Sequence, residues 1–164
     1  MTGGDHASKH NKLLLLRTRE ASDFELETLV EWSRDEESQV RDWATFLIGS
    51  QLNADTPEVR QALRDRLNDP DFDTRCEALV GLARRRDVSG VEQLKRSLQG
   101  DMVSTMMIEA AGYYGRSDFV PILQELQSWW DVDDELLKKA IKHCSGEQRD
   151  EWWDSDRCSG NDNG

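Results

Sequence analysis

Two interleaved series of helix-periodic segments run through the middle of the chain. In the first, FELETLVEW from Phe24, EVRQALRDRL from Glu58, GVEQLKRSL from Gly90 and VPILQELQSW from Val120 return apolar residues every three or four positions. That spacing gathers them on one face of an α-helix. Stacked, these segments align Leu29, Leu63, Leu94 and Leu123. In the second series, QVRDWATFLIG from Gln39, DTRCEALVGLA from Asp73, MVSTMMIEAAG from Met102 and ELLKKAIKHCS from Glu135 recur at intervals of 34, 29 and 33 residues. Without gaps they align Val40, Thr74, Val103 and Leu136, and four residues later Ala44, Ala78, Met107 and Ala140. Small or flexible side chains at this second position are expected to let one helix approach the next closely.

The segments between the series are acidic or turn-forming: RDEES from Arg34, NDPDFD from Asn68, QGD from Gln99 and DVDD from Asp131. Asp, Asn, Gly and Pro suit tight turns and helix N-caps, and acidic residues complement the positive end of the helix that follows. Ser22-Asp23, Thr56-Pro57, Ser89 and Ser117-Asp118 supply start signals for the first series, Pro57 being tolerated in a first turn. The pattern predicts four helix-turn-helix units, over about residues 22–52, 56–86, 89–115 and 117–144. One unit cannot cover its own apolar stripe, so the units are expected to stack. The predicted fold is all-α, a right-handed α-α superhelix of the solenoid type within residues 12–144. Residues 1–11 and 145–164 are polar, aperiodic and glycine-containing, and are expected to be disordered tails. Leu13 to Leu16 is expected to cap the first unit, and Trp152-Trp153 to cap the last or to meet a partner.

The ankyrin signature T-P-L-H and the tetratricopeptide spacing W-x2-L-G-x2-Y are both missing. The run Glu37-Ser38-Gln39-Val40-Arg41-Asp42-Trp43-Ala44 and the run from Asp73-Thr74-Arg75 through Ala78 to Gly81-Leu82-Ala83 share another pattern. It is an acidic turn, then an apolar or Thr residue followed by Arg, then an alanine-containing helix. Ala110-Ala111-Gly112 continues it in the third unit and Ala140 in the fourth. This resembles the short HEAT-like repeat of the phycobilisome-lyase type, over roughly Ser22 to Cys144. The resemblance implies a helical repeat fold. In that family such arrays serve as adaptors, chaperone-like scaffolds, bilin-lyase subunits and, in a diverged branch, alkylpurine DNA glycosylases, so fold alone does not choose among them.

Charge narrows the choice. The 164 residues carry a formal net charge of −12, which argues against nucleic acid, whose phosphates need a basic face, and favours a partner with a basic surface. The cysteines Cys76, Cys144 and Cys158 are far apart and odd in number, as expected of reduced thiols in the cytoplasm. Leu13 to Leu16 is too short to span a membrane, and no small-residue cleavage site follows it. No membrane association is expected.

No catalytic motif stands out: G-x-S-x-G, the P-loop, G-x-G-x-x-G and H-E-x-x-H are all missing. His143 and Cys144 are adjacent, and neighbours on a helix point in different directions, so no metal site is expected, and no cofactor. Arg84-Arg85-Arg86 reads either as favourable charge at a helix C-terminus or as an anchor for a carboxylate or phosphate. Tyr113 and Tyr114 are expected to put one ring inward and one outward. The predicted function is that of a non-catalytic scaffold or adaptor that binds another protein on its second-series helices. Candidate contacts are Arg41, Asp42, Arg75, Glu77, Ser104 and Glu109, with Trp152 and Trp153 beyond the repeats. The alternatives are an accessory subunit of a bilin lyase, implied by the resemblance, and an immunity-type inhibitor of a basic partner. Oligomeric state is left open.

Overall fold

A computed structural model describes residues 3–17, 20–51, 54–131 and 134–147. Among them the regular structure is helical throughout: α1 (Gly3–Leu16), α2 (Asp23–Trp32), α3 (Ser38–Ser50), α4 (Pro57–Asp65), α5 (Phe72–Arg84), α6 (Val91–Leu98), α7 (Thr105–Tyr114), α8 (Val120–Gln127) and α9 (Glu135–Ser145). Short 3₁₀ turns follow α4 and precede α6 and α8. The all-α expectation holds. The chain divides into two compact units, Met1–Asp87 and Val88–Gly164, where the sequence suggested one repeat domain.

Helices α2, α4, α5, α7 and α9 begin at side-chain caps. Ser22 caps α2 in a reciprocal capping box with Glu25, and Thr56 accepts from the Val59 amide ahead of Pro57. Asp71, Ser104 and Asp134 cap α5, α7 and α9 through their side chains. Ser89 and Ser117 do not cap α6 and α8. They lie inside the 3₁₀ turns that lead into those helices.

The Leu29, Leu63, Leu94 and Leu123 register is fully buried. So are Ala44, Ala78, Met107 and Ala140. The Val40, Thr74, Val103 and Leu136 register holds only in the first unit, since Val103 and Leu136 are half-buried. The correction comes from the caps. Counted three residues on from Glu37, Asp71, Ser104 and Asp134, the equivalent positions are Val40, Thr74, Met107 and Leu137, and all four are buried. Gapless stacking places Val103 inside a helix, whereas Ser104 starts that helix one residue later.

Residues 3–11, expected to be a tail, form the first part of α1. Tertiary anchors account for the difference. Leu13 and Leu16, three apart on one face, are buried in the first unit, while Leu14 and Leu15 face outward. Lys9 donates to the Asp35 carboxylate at 2.8 Å, tying the helix to the turn between α2 and α3.

Helices α3 and α5 cross at two glycines. A Cβ on Gly81 would sit 2.9 Å from the Gly49 Cα and 2.9 Å from a Leu63 methyl. Backbone cannot yield as a flexible side-chain end can, so Gly81→Val is expected to cost about 2 kcal/mol by overpacking. A urea unfolding midpoint unchanged from wild type would contradict this close approach.

In the second unit Tyr113 and Tyr114 are both buried, with Tyr114 stacked on Phe119 at 5.9 Å. The inward-outward split expected for the pair is not found, because the 3₁₀ turn at Ser117–Phe119 brings Phe119 over the second ring. The Cys144 thiol donates to the Ala111 carbonyl, and burial pushes its pKa up to about 12. Gly115 closes α7 at φ +57 against the buried His143 ring. Trp130 donates its indole N–H to Asp134 at 2.9 Å, and Trp129 is exposed.

Candidate functional site

Arginine placement in the first unit follows a rule that the sequence only half displays. Arg41 and Arg75 each stand four residues after an N-cap, Glu37 and Asp71. From there each reaches back over the preceding turn. Arg41 Nη1 donates to the carbonyls of Asp35 and Glu36 at 2.9 and 3.0 Å, and Arg75 Nη1 to those of Asp69 and Pro70 at 2.6 and 3.0 Å. The repeated Arg is thus a clamp on the turn. Arg41 also holds the buried Asp69 carboxylate in a bidentate pair at 2.9 and 3.1 Å. Arg41 thus has all three of its nitrogens engaged within the first unit, and Arg75 its Nη1.

Arg85 is the residue whose role the sequence conceals most. It is 8% exposed, although it sits in the middle of a run of three arginines. Its guanidinium donates to the carbonyls of Ile48, Gly49, Gln51 and Ala54, and to that of Gly81, at 2.8 to 3.2 Å. A helix leaves its last carbonyls without intrahelical partners, and Arg85 supplies donors for those at the end of α3. Neither expected reading of the run describes this residue, which caps another helix from inside. Arg86 takes a left-handed φ of 50°, and the amides of Arg86 and Asp87 donate to Ala83 and Leu82, closing α5 in a Schellman turn. Asp87, itself buried, accepts from Arg60 and Arg64.

With these arginines accounted for, one solvent-facing stripe remains along α3 and another along α5. Gln39, Asp42, Trp43, Phe46 and Ser50 recur at three- and four-residue steps on α3 and are exposed or half-buried. Asp73 and Glu77 stand four apart on α5, and Arg84 lies seven residues beyond Glu77. The Gly49–Gly81 approach sets the two helices side by side. Asp42 lies within reach of the charges of Asp71 and Asp73 at the start of α5, and Glu77 follows Asp73 one turn on, half-buried. Trp43 is half-buried on α3 and meets Phe46 edge-on at 5.8 Å. The Arg17 guanidinium lies over the Trp43 ring, 4.7 Å from its centroid.

The other candidates lie elsewhere. Ser104 caps α7, accepting from the Met106 amide at 3.2 Å, and Glu109 is half-buried on α7, both in the second unit. Trp152 and Trp153 lie outside the described residues. Sequence reasoning passed over Phe46 and Asp73 as contacts and did not foresee the role of Arg85. The helical stripe 39-42-43-46-50 is the signal by which Phe46 was findable.

The α3–α5 face is electrostatically crowded. Burial first, then the charges of Asp71, Asp73 and Asp69, push the Asp42 carboxyl up to about 6. One Asp42 oxygen is buried with no hydrogen-bond partner. A carboxyl whose folded pKa lies above its unfolded value costs stability once it ionises. The cost is nil below about pH 4, grows between pH 4 and 6, and is complete above pH 6. Asp42→Asn is thus expected to stabilise the chain by about 1 kcal/mol at pH 7.5, allowing for partial solvent screening. The gain should vanish near pH 4. Urea titrations of both proteins across that range test it, and parallel curves would rule it out.

Among the described residues no group of three or more His, Cys, Asp or Glu side chains is disposed to hold a metal ion. Nor is any of their helices long and apolar enough to cross a membrane.

Comparison with known proteins agrees with this architecture. A family model for HEAT repeats matches residues 26–111. Protein YibA of Escherichia coli strain K12 is 32% identical over 114 residues, and its counterpart in Escherichia coli O157:H7 is equally similar. The match covers 69% of this chain and 40% of those proteins, so the chain spans about two fifths of the length of the curated relatives it matches. The X-ray structure of Escherichia coli YibA superposes with a TM-score of 0.65 at 30% identity, over 71% of this chain and 42% of that one. Matched by the repeat model from within α2 to within α7, and similar in both sequence and fold to YibA, the chain belongs to the HEAT repeat family.

Proposed function

We propose that this chain is a non-catalytic scaffold that binds another protein with a basic surface, and that the α3–α5 face is where it does so. One observation carries the reading. Aromatic and acidic side chains (Trp43, Phe46, Asp42, Asp73 and Glu77) stand at the surface of two helices whose Arg41 and Arg75, with Arg85 just beyond, are turned to the turns and helix ends, leaving Arg84 on the same side as Glu77. Aromatic rings supply contact area at an interface, and carboxylates steer a cationic partner toward it. Ser104 and Glu109 are secondary contacts in the second unit under this reading, and Trp152 and Trp153 are contacts beyond it. The buried thiols of Cys76 and Cys144, neither in a disulfide, suit a reducing cytoplasm. An immunity-type inhibitor is the special case in which the basic partner is an enzyme or toxin. No observation favours the bilin-handling alternative.

The test is affinity purification from the native host with the wild-type chain and with the triple variant Asp42→Lys, Asp73→Lys, Glu77→Lys. Circular dichroism would establish that the variant is folded. The expected result is loss of the captured basic protein with charge reversal. An unchanged set of captured proteins would remove the face from consideration.

A further inference from the structure

We infer that the α3–α5 face takes an arginine-rich segment of its partner, one guanidinium stacking on Trp43 in the place held by Arg17 and neighbouring ones pairing with the carboxylates of Asp42 and Asp73. The inference rests on the scaffold reading above and specifies its ligand chemistry. Arg17 already demonstrates the geometry: an exposed guanidinium at 4.7 Å over an indole whose edge partner is Phe46. Arg17 follows the last residue of α1, so it is an intramolecular occupant that a partner arginine must displace. Asp42 and Asp73 have no cationic partner among the described residues. Asp42 is crowded by Asp69, Asp71 and Asp73, and an incoming cation relieves that repulsion.

Arginine is distinguished from lysine here by chemistry. The guanidinium is planar and weakly hydrated, so it stacks on an aromatic face and still presents edge N–H groups to carboxylates. The ammonium is compact and strongly hydrated. A merely acidic surface would bind both alike.

The experiment measures fluorescence anisotropy of labelled octa-arginine and octa-lysine peptides with the full chain at 150 mM salt. Wild type is expected to bind the arginine peptide at least about threefold more tightly than the lysine peptide. Trp43→Leu should abolish that preference while leaving lysine-peptide binding in place. Asp73→Asn should weaken both peptides. Arg17→Ala, which alters only an exposed side chain, should tighten the arginine peptide by about threefold through loss of the internal competitor. Equal affinities in wild type, a preference that survives Trp43→Leu, or weaker arginine binding by Arg17→Ala would each overturn the inference. If the inference fails while charge reversal still abolishes partner capture, the scaffold reading stands and only the ligand chemistry falls. If charge reversal also has no effect, the face itself is wrong.

Discussion

Replacing Arg85 with alanine is expected to destabilise the protein by about 4 kcal/mol and to lower its melting temperature by more than about 10 °C. Five carbonyls accept from this one side chain, four of them from Ile48, Gly49, Gln51 and Ala54 around the end of α3. Removing the guanidinium strips these carbonyls of their charged donor, although that of Gln51 still accepts from the Ala54 amide, and adds a void where the side chain ran. Hydrogen bonds from a charged donor are worth more than neutral ones, and the desolvation of stranded acceptors adds to their loss. Burial pulls the Arg85 pKa down from its ordinary value, yet a guanidinium stays protonated under any physiological condition. The charged donor is therefore always present. Arg85→Lys should recover less than half of the loss, because an ammonium on a flexible stem cannot span both ends of the fork. A differential scanning trace showing a shift under about 3 °C for Arg85→Ala would disprove the capping role. Arg84→Ala and Arg86→Ala serve as neighbours for comparison and should cost far less, neither side chain being buried.

Asp69→Ala carries the second-largest expected effect, about 3 kcal/mol. The Asp69 side chain is fully buried, and it accepts from Arg41, Arg66 and the Asp71 amide. Alanine leaves Arg41, only 11% exposed, with half its fork unpaired, and an unpaired charge in such a place is the costly outcome. Burial by itself would raise the Asp69 carboxyl. The Arg41 hydrogen bonds, the Asp71 amide and the positive charges of Arg41 and Arg66 outweigh it and hold the group below the usual carboxylate range. The stabilisation is thus complete above the unfolded carboxylate pKa and is lost as pH falls through the folded one. Asp69→Asn should therefore flatten the acid limb of the stability curve, measured by urea unfolding between pH 2 and 6. An unaltered acid limb would show that Asp69 is not the group responsible.

Asp69 and Asp42 are neighbours that titrate in opposite directions for one reason. Asp69 lies under the Arg41 fork, whereas Asp42, one residue beyond Arg41, meets only other carboxylates. The sequence reads both simply as acids near a turn. Their difference depends on which way each side chain leaves its backbone, and on what the next helix brings opposite it.

The same division runs through the rest of the chain. Thr56-Pro57, Ser22 with Glu25, and the Leu29, Leu63, Leu94 and Leu123 register were legible, because caps and apolar periodicity are properties of a few consecutive residues. The match of Arg41 with Arg75 was legible as a repeat but not as a clamp, since its acceptors are carbonyls, which every residue has. Val103 was misplaced because gapless stacking ignores turn length, and the cap at Ser104 decides where α7 begins. Residues 3–11 look like a tail by composition, yet they are helical once Leu13, Leu16 and Lys9 find partners on other elements.

By itself, then, the sequence determined that this protein is all-α and resembles HEAT repeats, and it marked the turns between its helices. Tertiary structure alone decided which arginines are spent inside, that α3 and α5 meet at glycines, and that Asp42 sits among the carboxylates of Asp69, Asp71 and Asp73. The physical reason is range. Helix initiation and amphipathic periodicity act within one or two turns of chain, whereas a side chain's burial, charge state and availability depend on atoms supplied by residues 28 to 37 positions away.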